Sequence, residues 1–361
     1  MPVELIDPLN DRRWEEFLDR HPKASIFHTP AWARVIVETY GYRPRYYALV
    51  QGSGIEAALP FFEIRSFLTG NRWVSLPFSD HAPLLAGRRE HLDELLARAT
   101  DDLAKSGCRF LEIRSGEEPL LDASGPAADE APRKAPPLMR LEHHKLHITP
   151  LSADVEATFR LLDKRRARWA VRHAAKQGVE VVRDDSLEAV RRFHRISLGT
   201  RRKLGVPPQP WKLFENVHRH IIDPGRGFVL TALRGGVTLG SIIFFHHGST
   251  VTAKYNASIK RHLKYQFVEA VLWEAMKWGC GNGFTAFDVG RTAIDNAGLL
   301  RMKRHLGGEE LPLPYYYYPE AKGVGTIREK SLSYRAMKIL FQRMPTVITR
   351  PIGAYLYRHL G

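Results

Sequence analysis

The chain predicts a mixed α/β protein built from two related halves in tandem, and three observations carry that expectation. First, YYALVQGSGIEAALPFFEI (Tyr46–Ile64) and FVLTALRGGVTLGSIIFFHH (Phe228–His247) each place apolar β-formers on either side of a Gly-containing turn, the pattern of a hairpin. Second, HLDELLARATDDLAKSGCRFLEIRS (His91–Ser115) and QFVEAVLWEAMKWGCGNGFTAFDVG (Gln266–Gly290) each read as a helix, a Lys-x-Gly-Cys break and a strand. Third, the two hairpins are offset by 182 positions (Gly54 to Gly236) and the two breaks by 172 (Gly107 to Gly279), so order and spacing are both kept. A length of 361 residues also exceeds the usual single core.

In chain order, MPVELIDPLNDRRWEEF carries acidic residues and Pro where an export signal would have basic residues and an apolar run, so no export is expected. The first domain is expected over residues 1–150. Its helix aligns Leu92, Leu95, Leu96, Ala99 and Leu103 on one face. Gly116–Leu138, rich in Pro, Ala, Gly and acidic residues, reads as a long exposed loop, and Pro137–Leu151 as a strand. The second domain is expected over residues 151–325. It opens on a basic helix within Asp163–Asp184 that stops at Gly178 before the strand VEVV. A basic helical tail, residues 326–361, is expected to be divided into short helices by Pro345 and Pro351.

With 44% hydrophobic and 26% charged residues the composition is that of a globular protein, and no apolar run reaches the roughly 18 residues of a membrane span. Two cysteines give neither a disulfide framework nor zinc spacing, and the pairs His143/His144 and His246/His247 would point to opposite faces of a strand. No P-loop, dinucleotide fingerprint or Ser-His-Asp ordering stands in a convincing context. A net charge of +15 instead favours polyanions: nucleic acid, phosphorylated metabolites or an anionic lipid surface. Arg165, Arg166, Arg168, Arg172, His173 and Lys176 concentrate that charge on the basic helix.

Several blocks, taken in order, resemble the Fem-type aminoacyltransferases: FHTPAWARVIVETYGYRPRYYAL, NRWVSLPFSDHAPLL, KRRARWAVRHAAKQGVEVV, GTRRKLGVPP and FDVGRTAIDNAGLLRMKRHLGGEELPLPYYYY. The tail MKILFQRMPTVITRPIGAYLYRHLG is similar to members associated with exopolysaccharide and exosortase systems. The resemblance implies an α/β (mixed α+β) fold of two tandem GNAT-like acyltransferase domains sharing an interdomain cleft. It implies transfer of an acyl or aminoacyl group to an amine of a cell-envelope or exopolysaccharide precursor, in the cytoplasm or peripherally at the inner membrane face. No tightly bound cofactor is implied. The co-substrate is aminoacyl-tRNA or acyl-CoA, with an acyl carrier protein as a further donor.

By the same resemblance Lys303 matches a lysine at the acceptor site, although Met302 and His305-Leu306-Gly307 replace the aromatics usual around it. A flexible ammonium suits phosphate or a forming oxyanion. Tyr255 matches a tyrosine near the acceptor, and Arg201 and Arg202 precede a block lining the cleft, where a guanidinium would grip phosphate. Arg291 follows the turn DVG as a substrate clamp, with Asp288 placed to orient it or to accept a proton. Asp80, after SLPFS, is a further candidate base. Lys260, Arg261 and Lys264 stand where an acetyl-CoA enzyme would present a glycine-containing phosphate loop, and are the candidate donor-binding cations. A non-catalytic scaffold binding an anionic ligand is the competing reading.

Overall fold

The computed structural model describes residues 1–116, 118–121, 135–319 and 332–361; the loop expected over Gly116–Leu138 and the first residues of the tail fall largely outside the described residues. The chain divides into two compact units. One holds Met1–His144, the chain from Pro312 and Arg358–Gly361; the other holds Lys145–Leu311 and the chain up to Tyr357.

The first unit opens with β1 (Val3–Ile6), α1 (Arg12–Arg20) and α2 (Pro30–Tyr40). Both helices start on side-chain caps: Asp11 accepts from the Arg13 N–H, and Thr29 accepts from the Trp32 N–H with Pro30 in the first turn. The hairpin β2 (Arg43–Gln51) and β3 (Gly54–Ile64) follows, then β4 (Arg72–Val74), α3 (Arg89–Ser106) and β5 (Leu111–Ile113). β3 pairs with β4 antiparallel and β4 with β5 parallel, with α3 as the crossover. Leu92, Leu95, Leu96, Ala99 and Leu103 turn inward onto Tyr47, Phe61 and Trp73, as the helical spacing requires.

The second unit repeats this order. After β6 (Met139–Pro150), α4 (Val155–Leu161) and α5 (Ala167–Lys176) come β7 (Val179–Arg183), α6 (Leu187–Leu204) and α7 (Trp211–Val217). Then follow the hairpin β8 (Gly227–Arg234) and β9 (Val237–His247), β10 (Thr250–Ser258), α8 (Phe267–Gly281) and β11 (Ala286–Ala293). β9 pairs with β10 antiparallel and β10 with β11 parallel, the same sequence of pairings as in the first unit. Its core gathers Phe228, Phe244, Val271, Met276 and Phe287. The chain closes with α9 (Ala297–Arg304), β12 (Glu309–Tyr318), α10 (Leu332–Arg343) and α11 (Thr346–Leu360). In the first unit Tyr316–Tyr318 of β12 pair antiparallel with β5.

Two sequence expectations need correction. The Lys-x-Gly-Cys break ends a helix only in the first unit, where Gly107 takes a left-handed φ of 72°. In the second unit Gly279 lies inside α8, where an added Cβ would stand 2.7 Å from a Leu151 methyl. That glycine answers a packing need, and the helix stops three residues later at Asn282. The tail is interrupted at Pro345, but Pro351 sits within α11. The carbonyl deprived of its donor there belongs to Val347, whose residue is exposed, so water can satisfy it.

Candidate functional site

Three of the expected site residues of the second unit meet where β10 and β11 part. Their parallel pairing covers only Thr250–Thr252 against Ala286–Asp288, and β10 then bulges between Ala253 and Tyr255. Beyond the last pair, side chains hold the β11 backbone. The Gly290 N–H donates to Asp288 Oδ1 at 2.7 Å, and Lys303 Nζ donates to the Gly290 and Arg291 carbonyls at 2.7 and 3.0 Å. Gly290 has φ 76°, a conformation that costs other residues a Cβ clash. Asp288 and Lys303 are both buried. The structure thus brings Asp288, Arg291 and Lys303 together around one backbone kink.

His147 on β6 is a neighbour the sequence did not point to. It is fully buried, its Nε2 lies 3.5 Å from Glu310 Oε2, and neither ring nitrogen has a hydrogen-bond partner among the described residues. Burial lowers its pKa and the nearby Lys303 ammonium lowers it further, against the smaller pull of Glu310. A neutral imidazole beside a buried ammonium follows.

A cavity of about 520 Å³ opens on the adjoining helices. Arg166, Trp169 and Ala170 of the α5 segment line it, with Gln266 and Glu269 at the start of α8 and Gly298, Arg301, Met302 and His305 around α9. Residues 298, 301, 302 and 305 recur at helical spacing, so one face of α9 looks into the cavity while Lys303 is turned toward β11. Trp169 is half-exposed and stacks on His173 with centroids 4.8 Å apart. α8 begins after Gln266, which has φ 55°, and has no side-chain cap. Its first N–H groups and the positive end of its dipole therefore favour an anion or a developing negative charge. Glu269 projects from that first turn, and burial raises its carboxyl above the ordinary range, offset in part by its own backbone N–H. A carboxylate of raised basicity at an uncapped helix start, lining one cavity with Arg166 and Arg301, is equipped to take a proton while an oxyanion forms.

The other expected residues lie elsewhere. Tyr255 is buried against Phe214 and Phe245, with ring centroids at 5.3 and 6.1 Å. Arg201 donates to Gln209 Oε1 at 3.1 Å and Arg202 to the Gln342 carbonyl at 3.1 Å, so both hold neighbouring segments of the second unit. Lys260, Arg261 and Lys264 are exposed on a 3-10 turn, Lys260–Tyr265, directly before α8. Asp80 belongs to the first unit, where its carbonyl accepts from the Tyr315 hydroxyl at 2.9 Å.

Residues 161–300, from the last residue of α4 to the first turn of α9, match the family described as acetyltransferase (GNAT) domain. Over these residues the second unit is similar to a GNAT domain. With this domain the protein is an acyltransferase, and the repeated order of strands and helices makes its fold one of two GNAT-like domains. No curated protein matches the chain in sequence. Among solved structures it is similar to FemX, at 14% identity and a TM-score of 0.69, covering 88% of this chain and 97% of that one. It is similar to a tandem GNAT protein from the clavulanic acid biosynthesis pathway, at 13% identity, a TM-score of 0.54 and coverage of 88% and 97%. It is also similar to L-PGS from Bacillus licheniformis, at 13% identity, a TM-score of 0.52 and coverage of 97% and 98%. At such identities the likeness is one of fold. No helix among the described residues is long and apolar enough to cross a membrane.

Proposed function

We propose that the protein transfers an aminoacyl group from aminoacyl-tRNA to an amine of a cell-envelope or exopolysaccharide precursor, at the cytoplasmic side of the membrane. The observation that carries this reading is the cavity of the second unit, which Glu269, at the uncapped start of α8, lines together with Arg166 and Arg301. Glu269 takes the proton from the acceptor ammonium. The freed amine attacks the ester carbonyl, and the α8 N–H groups and Arg301 stabilise the oxyanion. The C–N bond forms as the C–O bond to the ribose breaks, and that hydroxyl leaves with a proton.

Lys303 and Asp288 act in this scheme as positioning residues, fixing the kink at Gly290 from which Arg291 reaches the anionic part of the acceptor. The exposed Lys260, Arg261 and Lys264, together with the cations of α5, meet donor phosphates. The GNAT match over residues 161–300 favours a second reading with acyl-CoA as donor at the same cavity.

Presenting the purified protein with radiolabelled aminoacyl-tRNA or acyl-CoA, together with an extract of amine-bearing envelope precursors, separates the two. Label moving to an amide product from the tRNA alone supports the first reading, and from the thioester alone the second. Protection from thermal unfolding by an anionic ligand, with no transfer from either donor, would leave the scaffold in their place.

A further inference from the structure

No residue of the two C-terminal helices is among those lining the cavity assigned to acyl transfer. α11 seats one side on its own unit: Thr349, Gly353 and Tyr357 are buried, and an added Cβ at Gly353 would stand 2.2 Å from the Pro208 carbonyl oxygen. α10 is tied down at its end by hydrogen bonds from Arg202 to the Gln342 carbonyl and from the Gln342 side-chain amide to the Lys203 carbonyl. A helix held in this way usually turns polar side chains to water. Here Val347, Ile348, Pro351 and Tyr355 fall within an arc of about 100° on α11, and Val347 is 78% exposed and Ile348 49%. Ile339 and Leu340 of α10 are likewise half-exposed. From 332 to 361 the chain has five Lys or Arg and no Asp or Glu, with Arg343 and Arg350 flanking the apolar residues.

We infer that α10 and α11 form a docking surface for an anionic lipid bilayer. Their outward apolar side chains would enter the boundary between headgroups and acyl chains while the arginines meet lipid phosphates. Charge decides the occupant: a carboxylate-free basic segment complements an anionic bilayer, whereas a second copy of this face would set like charges against each other. The inference is independent of the acyl-transfer reading, which is assayed without vesicles.

Flotation of the full chain with vesicles of phosphatidylcholine, with or without about 30% phosphatidylglycerol, tests it. Binding to the anionic vesicles is expected at about tenfold or more above the neutral ones, decreasing with salt. The double variant Val347→Asp/Ile348→Asp should lower it about tenfold, and Arg343→Glu/Arg350→Glu should do the same, with melting temperatures near that of the parent. Equal partition into both vesicles, no partition, or undiminished binding by both variants would overturn the inference. So would a dimer in light scattering that the apolar variant dissolves, because the face would then belong to a second copy.

Discussion

At the scale of single residues, Glu269 is where burial and chemistry oppose one another. Its carboxyl is raised by loss of water around it, so the folded protein holds its proton to higher pH than the unfolded chain, whose value is near 4.5. The contribution to stability is therefore full below that value and falls as pH rises through the folded pKa. Glu269→Gln removes the penalty. It should melt at a higher temperature than the parent at pH 8 and close to it at pH 4, while kcat falls by about 10²–10⁴ as for a lost general base. The acidic limb of the parent's pH–rate profile should also lie above the usual carboxylate range and vanish in the variant. A variant that keeps its rate and its pH profile would remove Glu269 from the reaction. Nothing in QFVEA marks this glutamate in the sequence, because its setting is made by α5, α8 and α9 together, and the cavity-lining residues of α5 lie about a hundred positions before it in the chain. The sequence block singled out Lys303 for an acceptor site. Its partners, two carbonyls of β11, were not legible there, since they depend on the kink at Gly290.

At the scale of elements, the start of α8 depends on how closely β9 approaches it. A Cβ at Gly240 would stand 2.4 Å from a ring carbon of Phe267, the first residue of α8, and 2.8 Å from the Ala257 carbonyl oxygen. Neither the ring, fully enclosed in the core, nor the strand carbonyl can yield cheaply. Gly240→Ala should destabilise the fold by about 1–3 kcal/mol and, by shifting the turn that bears Glu269, lower kcat/KM more than Gly281→Ala at the far end of α8, where an added Cβ meets nothing and the backbone is not left-handed. Urea unfolding and initial rates on the two variants check this. The hairpins were legible because their apolar runs and glycine turns are local signals. Gly279 and Pro351 misled for the opposite reason: one answers to Leu151 across the core and the other to an exposed helix face, and neither neighbour is adjacent in sequence.

At the scale of the whole molecule, the net charge of +15 distinguishes the two donors without any structure of a complex. A folded RNA presents phosphates over a wide surface, so binding it releases many counterions, and affinity falls steeply with salt. The cations available are dispersed along sequence and exposed: Arg165, Arg166, Arg172 and Lys176 of the α5 segment, Lys260, Arg261 and Lys264 before α8, and Arg301 on α9. If six or more of these meet RNA phosphates, kcat/KM for aminoacyl-tRNA should drop about 10³-fold or more between 50 and 200 mM salt, linearly on a double-logarithmic plot. An acyl-CoA donor carries its phosphates at one end of a small molecule and reaches few of these side chains, so its rate should change by about tenfold at most over the same range. Replacing Arg165 and Lys176 together by Gln should flatten the tRNA slope by roughly one to two units and leave thioester transfer unaltered. A slope near zero with a tRNA donor would mean that the basic surface serves another anion, and the vesicle experiment on α10 and α11 supplies the first candidate.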